Sequence, residues 1–235
     1  MRYLIGLDLG QARDFTAITV LERSGMSYDV RHIERPKLHT SYPDIVKRVV
    51  EMFRTPALVG NVDLIVDATG VGRPVVDMLK DAELFPLHAV TITAGQTEAY
   101  RSETGGWMVP KRVLVSRMQV LFQEKRIRIA RSIPEAQNLV RELENFKVKL
   151  SAAGHDSYEA AWREGAHDDM VLAIALAAWW GERTRETEVE KHPDEVLRDQ
   201  MTPEVRAHWE REEMRVAQEK REAQENERYE RELYE

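Results

Sequence analysis

Cysteine is missing altogether from the 235 residues, which rules out disulfide staples and thiolate metal sites. No long apolar run is present either. The longest, Met170 to Trp180, holds 11 residues, against the ~20 that a membrane-crossing helix requires. No leader sequence is legible, since Met1-Arg2 passes directly into the strand-like run from Tyr3 to Leu9. A cytoplasmic protein with no membrane partner is the expectation. Positive charge is also short. Against 41 Asp and Glu stand 34 Lys and Arg, a net −7, which at first sight argues against a nucleic-acid partner.

That deficit is local. From Thr184 onward there are 17 acidic and 10 basic residues, which accounts for the whole −7. Residues 1–183 hold 24 of each sign and are neutral. Within them, Arg101 to Lys149 carries 11 basic and 5 acidic residues. A basic stretch on a neutral body can bind phosphate, although a solvated helix surface accounts for it equally well.

Apolar alternation predicts strands over Tyr3–Leu9, Phe15–Leu21 and Tyr28–Ile33, with Ser24-Gly25 as the turn between the last two. Ile45, Val46, Val49, Val50 and Phe53 recur at helical spacing behind Pro43-Asp44. A buried strand from Val62 to Val66 ends at Asp67, and a helix then runs from Pro74 to about Ala82. His88–Thr93 is a fifth strand. Helices are expected at Lys111–Glu124, at Glu135–Phe146 and from about Asp168 to Trp180, with short extended pieces at Arg126–Ala130 and Lys147–Leu150. This order predicts an α/β domain, a mixed sheet of five or more strands covered by helices on its faces. Gly181 is a helix-stop signal and places the boundary there, with a domain over 1–183 and a charged, helical or partly disordered tail over 184–235.

Four carboxylates stand out. Asp8 lies within the first strand, and Gly6 and Gly10 on the same face leave room beside it. A charge inside a strand is costly if buried alone, so a metal, ordered solvent or Arg13 must compensate it. Asp67 ends the fourth strand, where functional groups of such sheets collect, though an Asp there also caps a turn. Asp168 and Asp169 follow His167 at the start of a helix that is apolar nearly all round. N-capping explains one acid of that pair. A divalent cation would neutralise both. Mg²⁺ and Mn²⁺ take such all-oxygen sites, and two ions about 4 Å apart serve phosphodiester cleavage.

In the same order, Gly6-Leu7-Asp8-Leu9-Gly10, Ile65-Val66-Asp67-Ala68-Thr69-Gly70, Val109-Pro110-Lys111 and Gly165-Ala166-His167-Asp168-Asp169-Met170 resemble ribonuclease H-like nucleases. Within that superfamily they resemble the nuclease domain of phage large terminase subunits, which cut concatemeric DNA during packaging. The resemblance spans residues 4–180. It implies a ribonuclease H-like fold and a two-metal DNA endonuclease using two Mg²⁺ or Mn²⁺ ions. Asp8, Asp67, Asp168 and Asp169 would be the metal site, with Asp169 the direct ligand and Asp168 a second ligand or a tuner. His167 would orient the acids or touch the scissile phosphate. Lys111, Arg112 and Arg117 would contact the backbone of double-stranded DNA, giving affinity rather than sequence reading. The bacterial host's cytoplasm would be the setting.

The sequence departs from a complete large terminase in having no G-x-x-x-x-G-K-[ST] phosphate-binding loop. The expectation is a nuclease working with a separate packaging ATPase, or one put to another use. The acidic tail has no match in the family and would either dock that motor or a portal-type partner, or mimic DNA charge near the basic stretch. Alternatives remain at this point: a Holliday-junction resolvase-like nuclease, an actin-like or sugar-kinase-type ATP-binding domain, or a structural adaptor that keeps the fold.

Overall fold

The computed structural model describes residues 1–10, 14–70, 72–103, 105–145, 168–190 and 215. The chain divides into two compact units, Met1–Arg183 and Thr184–Glu235, and most of the second lies outside the described residues. The first unit opens with an antiparallel meander, β1 (Arg2–Asp8), β2 (Ala17–Ser24) and β3 (Ser27–Glu34). Helix α1 (Tyr42–Phe53) follows. Ser41 is its N-cap, its hydroxyl accepting from the Asp44 N–H, and a proline sits in the first turn. Next come β4 (Val62–Asp67), α2 (Gly72–Asp81) and β5 (Leu87–Thr93).

Two strands that pattern alone did not reveal form a hairpin, β6 (Ala99–Arg101) and β7 (Gly106–Pro110). Then follow α3 (Lys111–Gln123), β8 (Ile127–Ile129), α4 (Ala136–Asn145) and α5 (Asp169–Glu190). The extended piece expected at Lys147–Leu150 lies outside the described residues. All eight strands join one sheet in the order β6-β7-β5-β4-β1-β2-β3-β8. β1 pairs parallel with β4 and antiparallel with β2, so the sheet is mixed, as expected.

Alternation along β1 divides the core. Ile5 and Leu7 pack with Val46 and Val49 of α1 and Val75 and Leu79 of α2. Leu4 faces the other way and packs with residues of α3, α4 and α5. The stretch Met170–Trp179 of α5 is buried on every side, which explains its apolar composition all round the helix.

Two glycines let α5 sit this close. A Cβ on Gly6 would lie 1.9 Å from the Ala173 carbonyl oxygen, so the space at Gly6 belongs to the helix backbone and not to the Asp8 carboxylate. A Cβ on Gly181 would meet Tyr28 Cε1 at 2.5 Å and Leu4 Cδ1 at 2.8 Å. The helix-stop reading of Gly181 is therefore wrong. α5 continues to Glu190, and the glycine serves close packing. Just beyond it, Glu182 accepts from the Tyr28 hydroxyl at 2.7 Å and from Arg126 at 3.0 Å, and Arg23 donates to the Gly181 carbonyl at 3.0 Å. These bonds satisfy the buried polar groups where a helix end was expected.

Candidate active site

Pairing of β1 with β4 runs from Tyr3↔Val62 to Leu7↔Val66. The next residues, Asp8 and Asp67, therefore stand side by side at the C-terminal ends of adjacent parallel strands, where open α/β sheets place their ligands. Asp8 is the last residue of β1 and not a mid-strand one, yet it is only 7% exposed. The Asp67 carboxyl adjoins it and, with burial, disfavours its charge. Burial, then repulsion from Asp67, Asp169 and Asp168, pushes the Asp8 carboxyl well above the usual carboxylate range. Burial raises Asp67 too, opposed by hydrogen bonds from Thr69 and Asp8 and by the charge of Lys111. Asp67 also performs the turn-capping task, accepting the Thr69 N–H at 2.8 Å. Turn-capping is thus the task that the hydrogen bonds show for Asp67.

The second pair of acids arrives on α5. Asp168 stands at the N-cap position, its carbonyl accepting the Leu172 N–H at 2.9 Å, and Asp169 begins the helix and is 5% exposed. The Asp168 carboxyl is raised to about 6, by burial first; Asp169 raises it further, while Lys111 opposes the shift. Lys111 opens α3 immediately after β7. Burial lowers its ammonium to about 8 against the pull of Asp168, Asp8 and Asp67. Four acids and one lysine thus converge from β1, β4, α3 and α5, and their mutual influence measures their proximity.

Glu142 was not expected from the sequence. It lies on α4, is 6% exposed, and its Oε2 accepts the Met170 N–H at 3.1 Å. Burial and then Asp169 raise its carboxyl to about 7, against Arg35 and the Met170 and Val171 N–H groups. The available signal was its phase. Glu142 follows the buried Leu139 by three residues, which sets a carboxylate on the inward stripe of an amphipathic helix.

The other site residues divide. Arg112 donates to the Gln96 carbonyl, and Arg117 lies 3.9 Å from Glu98. Both stand on α3 with Lys111, whose ammonium feels the charges of Asp168, Asp8 and Asp67. His167 lies outside the described residues. Among the described residues, no group of three or more histidine or acidic side chains is arranged to hold a metal ion as it stands. The donor set nevertheless fits a hard divalent cation: all oxygen, buried, and mutually repelling with a single lysine against four acids.

Sheet order and site position define a ribonuclease H-like domain. The terminase RNaseH-like domain family matches residues 5–178, and the chain belongs to that family. It is 24% identical over 175 residues to the terminase large subunit of Thermus phage G20c, an alignment covering 74% of this chain. The chain spans 31% of that curated relative's length. Among solved structures, the large terminase nuclease of thermophilic phage G20c superimposes with a TM-score of 0.51 at 23% identity, covering 75% of this chain and 80% of the other. A structure of the same nuclease with bound magnesium gives 0.51 at 22% identity over the same shares. These likenesses bear on the fold.

Proposed function

We propose that this chain is a metal-dependent DNA endonuclease that hydrolyses phosphodiester bonds by a two-metal mechanism and cuts double-stranded DNA during phage genome packaging. The observation that carries this reading is the buried Asp8–Asp67 pair, set side by side by strand register, with Asp168, Asp169 and Lys111 around it. Burying acids this densely is unfavourable unless opposite charge is brought to them. The magnesium bound to the similar G20c nuclease supports a divalent cation here.

Asp8 and Asp67, fixed by sheet register, would hold one cation between them. Asp169 or Asp168 would turn in from α5 to complete the ligands. Bound Mg²⁺ or Mn²⁺ supplies activation of the attacking water and stabilisation of the leaving oxygen. Lys111 places a cation beside the carboxylates, where it can meet a backbone phosphate and neutralise part of its charge. Arg112 and Arg117, on the same helix, would extend that contact along the strand. His167 would orient the adjoining acids. DNA translocation would come from an ATPase outside residues 1–235, with the acidic tail as its docking segment or that of a portal-type partner. The host cytoplasm would be the setting.

The test is conversion of supercoiled plasmid by the purified chain in Mn²⁺, Mg²⁺ or EDTA, beside Asp67→Asn. Nicking and linearisation with either metal, abolished by EDTA and by Asp67→Asn, is the expected result. Cutting that persists in EDTA, or in a folded Asp67→Asn, would overturn the reading. Stronger cutting of four-way junctions than of linear duplex would move the protein to the resolvase class.

A further inference from the structure

A buried helix start carries N–H groups that the helix itself cannot satisfy, and at α5 those groups adjoin the two acids that must hold position. Glu142 reaches across from α4 and accepts from the Met170 N–H at 3.1 Å and from the Val171 N–H. Its other oxygen meets Arg35 Nη1 at 3.4 Å. The Arg35 guanidinium lies 4.6 Å above the Phe15 ring, between Asp8 and β2 in the chain, and 3.8 Å from Glu135. A single chain of contacts therefore runs from the segment after Asp8, through Arg35 and Glu142, to the residues directly after Asp169.

We propose that Glu142, anchored by Arg35, is a positioning residue that sets where α5 presents Asp168 and Asp169. This rests on the metal-dependent reading above. Adding another carboxylate beside Asp169 increases the repulsion in the cluster. That cost is offset where the carboxylate accepts two N–H groups that would otherwise be buried without partners. Support of this kind, one contact removed from the ligands, typically governs metal affinity by about 10- to 100-fold. Glu142 touches neither substrate nor the reacting atoms in this arrangement. It acts through the helix.

The experiment is calorimetric titration of the full chain with Mn²⁺, joined to steady-state plasmid cleavage, for the parent, Asp8→Asn, Glu142→Leu, Glu142→Gln and Arg35→Gln. Leucine fills the space without accepting a hydrogen bond, whereas glutamine keeps an acceptor. Expected are a Mn²⁺ affinity about 10-fold or more weaker in Glu142→Leu, a lower kcat with an unchanged KM for DNA, and recovery to within about three-fold in Glu142→Gln. Arg35→Gln should fall between them, and it decides the matter if Glu142→Leu does not fold. Parent-like affinity and kcat in Glu142→Leu, or in Arg35→Gln in that case, would overturn the proposal. A parent that binds no Mn²⁺, or an Asp8→Asn that binds it equally well, would remove the metal reading and this inference with it. Loss in Asp8→Asn with no effect at Glu142 or Arg35 would remove this inference alone.

Discussion

Asp8 has a neutral surrogate that tests its role directly. An amide at this position keeps the size and shape of the side chain and carries no charge into the buried cluster. Asp8→Asn should therefore abolish cleavage while raising metal-free stability, on the order of 1 kcal/mol for each pKa unit relieved, read from urea unfolding in EDTA. A variant that unfolds would mark Asp8 as structural.

The same residues define a pH dependence. Asp168 at about 6 and Glu142 at about 7 are raised above their ordinary values, and Asp8 and Asp67 are raised as well. The folded state thus holds protons that the unfolded chain releases near pH 4, so stability must fall as pH rises from there through about 7. In EDTA, Tm should drop between pH 5 and 8, and Mn²⁺ should flatten that slope. Lys111 has the opposite sign. Its lowered value, about 8, means loss of a cation from the site in alkali. DNA affinity, measured in Ca²⁺ against salt, should weaken above that pH in the parent, and Lys111→Ala should show the weaker binding at every pH.

Among the elements, α5 decides whether the site is assembled, and two glycines govern its seat. Gly6→Ala would place a methyl 1.9 Å from the rigid Ala173 carbonyl and should destabilise by about 3 kcal/mol or more. Gly181→Ala meets movable side chains at 2.5 and 2.8 Å and regains about 1 kcal/mol of helix propensity, so its loss should be the smaller one. Urea midpoints of the two variants check that order. Gly181 also shows where pattern reading stops. A glycine after an apolar run signals a helix end locally, and only the position of Tyr28 and Leu4 reveals a helix that passes through. β7 was hidden for a related reason, since Gly106 and Pro110 bound it as breakers, and β6 was hidden by having three exposed residues. β1, β4 and α1 carried their own periodicity and were legible.

For the whole molecule, the sequence order of the acids was readable, and their convergence was not. Asp8 and Asp67 could be named because each follows a run of buried strand residues, and parallel register then sets them side by side. Glu142 could not, because its function depends on α4 meeting the first turn of α5 across the fold. Lys111 was implied as a DNA contact by the family resemblance alone, and the structure adds that it stands among the carboxylates. Charge told the same story at larger scale. The net −7 comes from residues 184–235, so a neutral body with a local basic stretch is compatible with a DNA substrate.

The measurement that tests the account most directly is Mn²⁺ binding by calorimetry at pH 7, with the parent and Asp8→Asn side by side. If the Asp8–Asp67 pair is the cation site, removing one of its two charges must weaken the hold on the ion. The parent should bind Mn²⁺, and Asp8→Asn should lose that binding. A parent that binds no Mn²⁺, or undiminished binding in Asp8→Asn, would contradict the account.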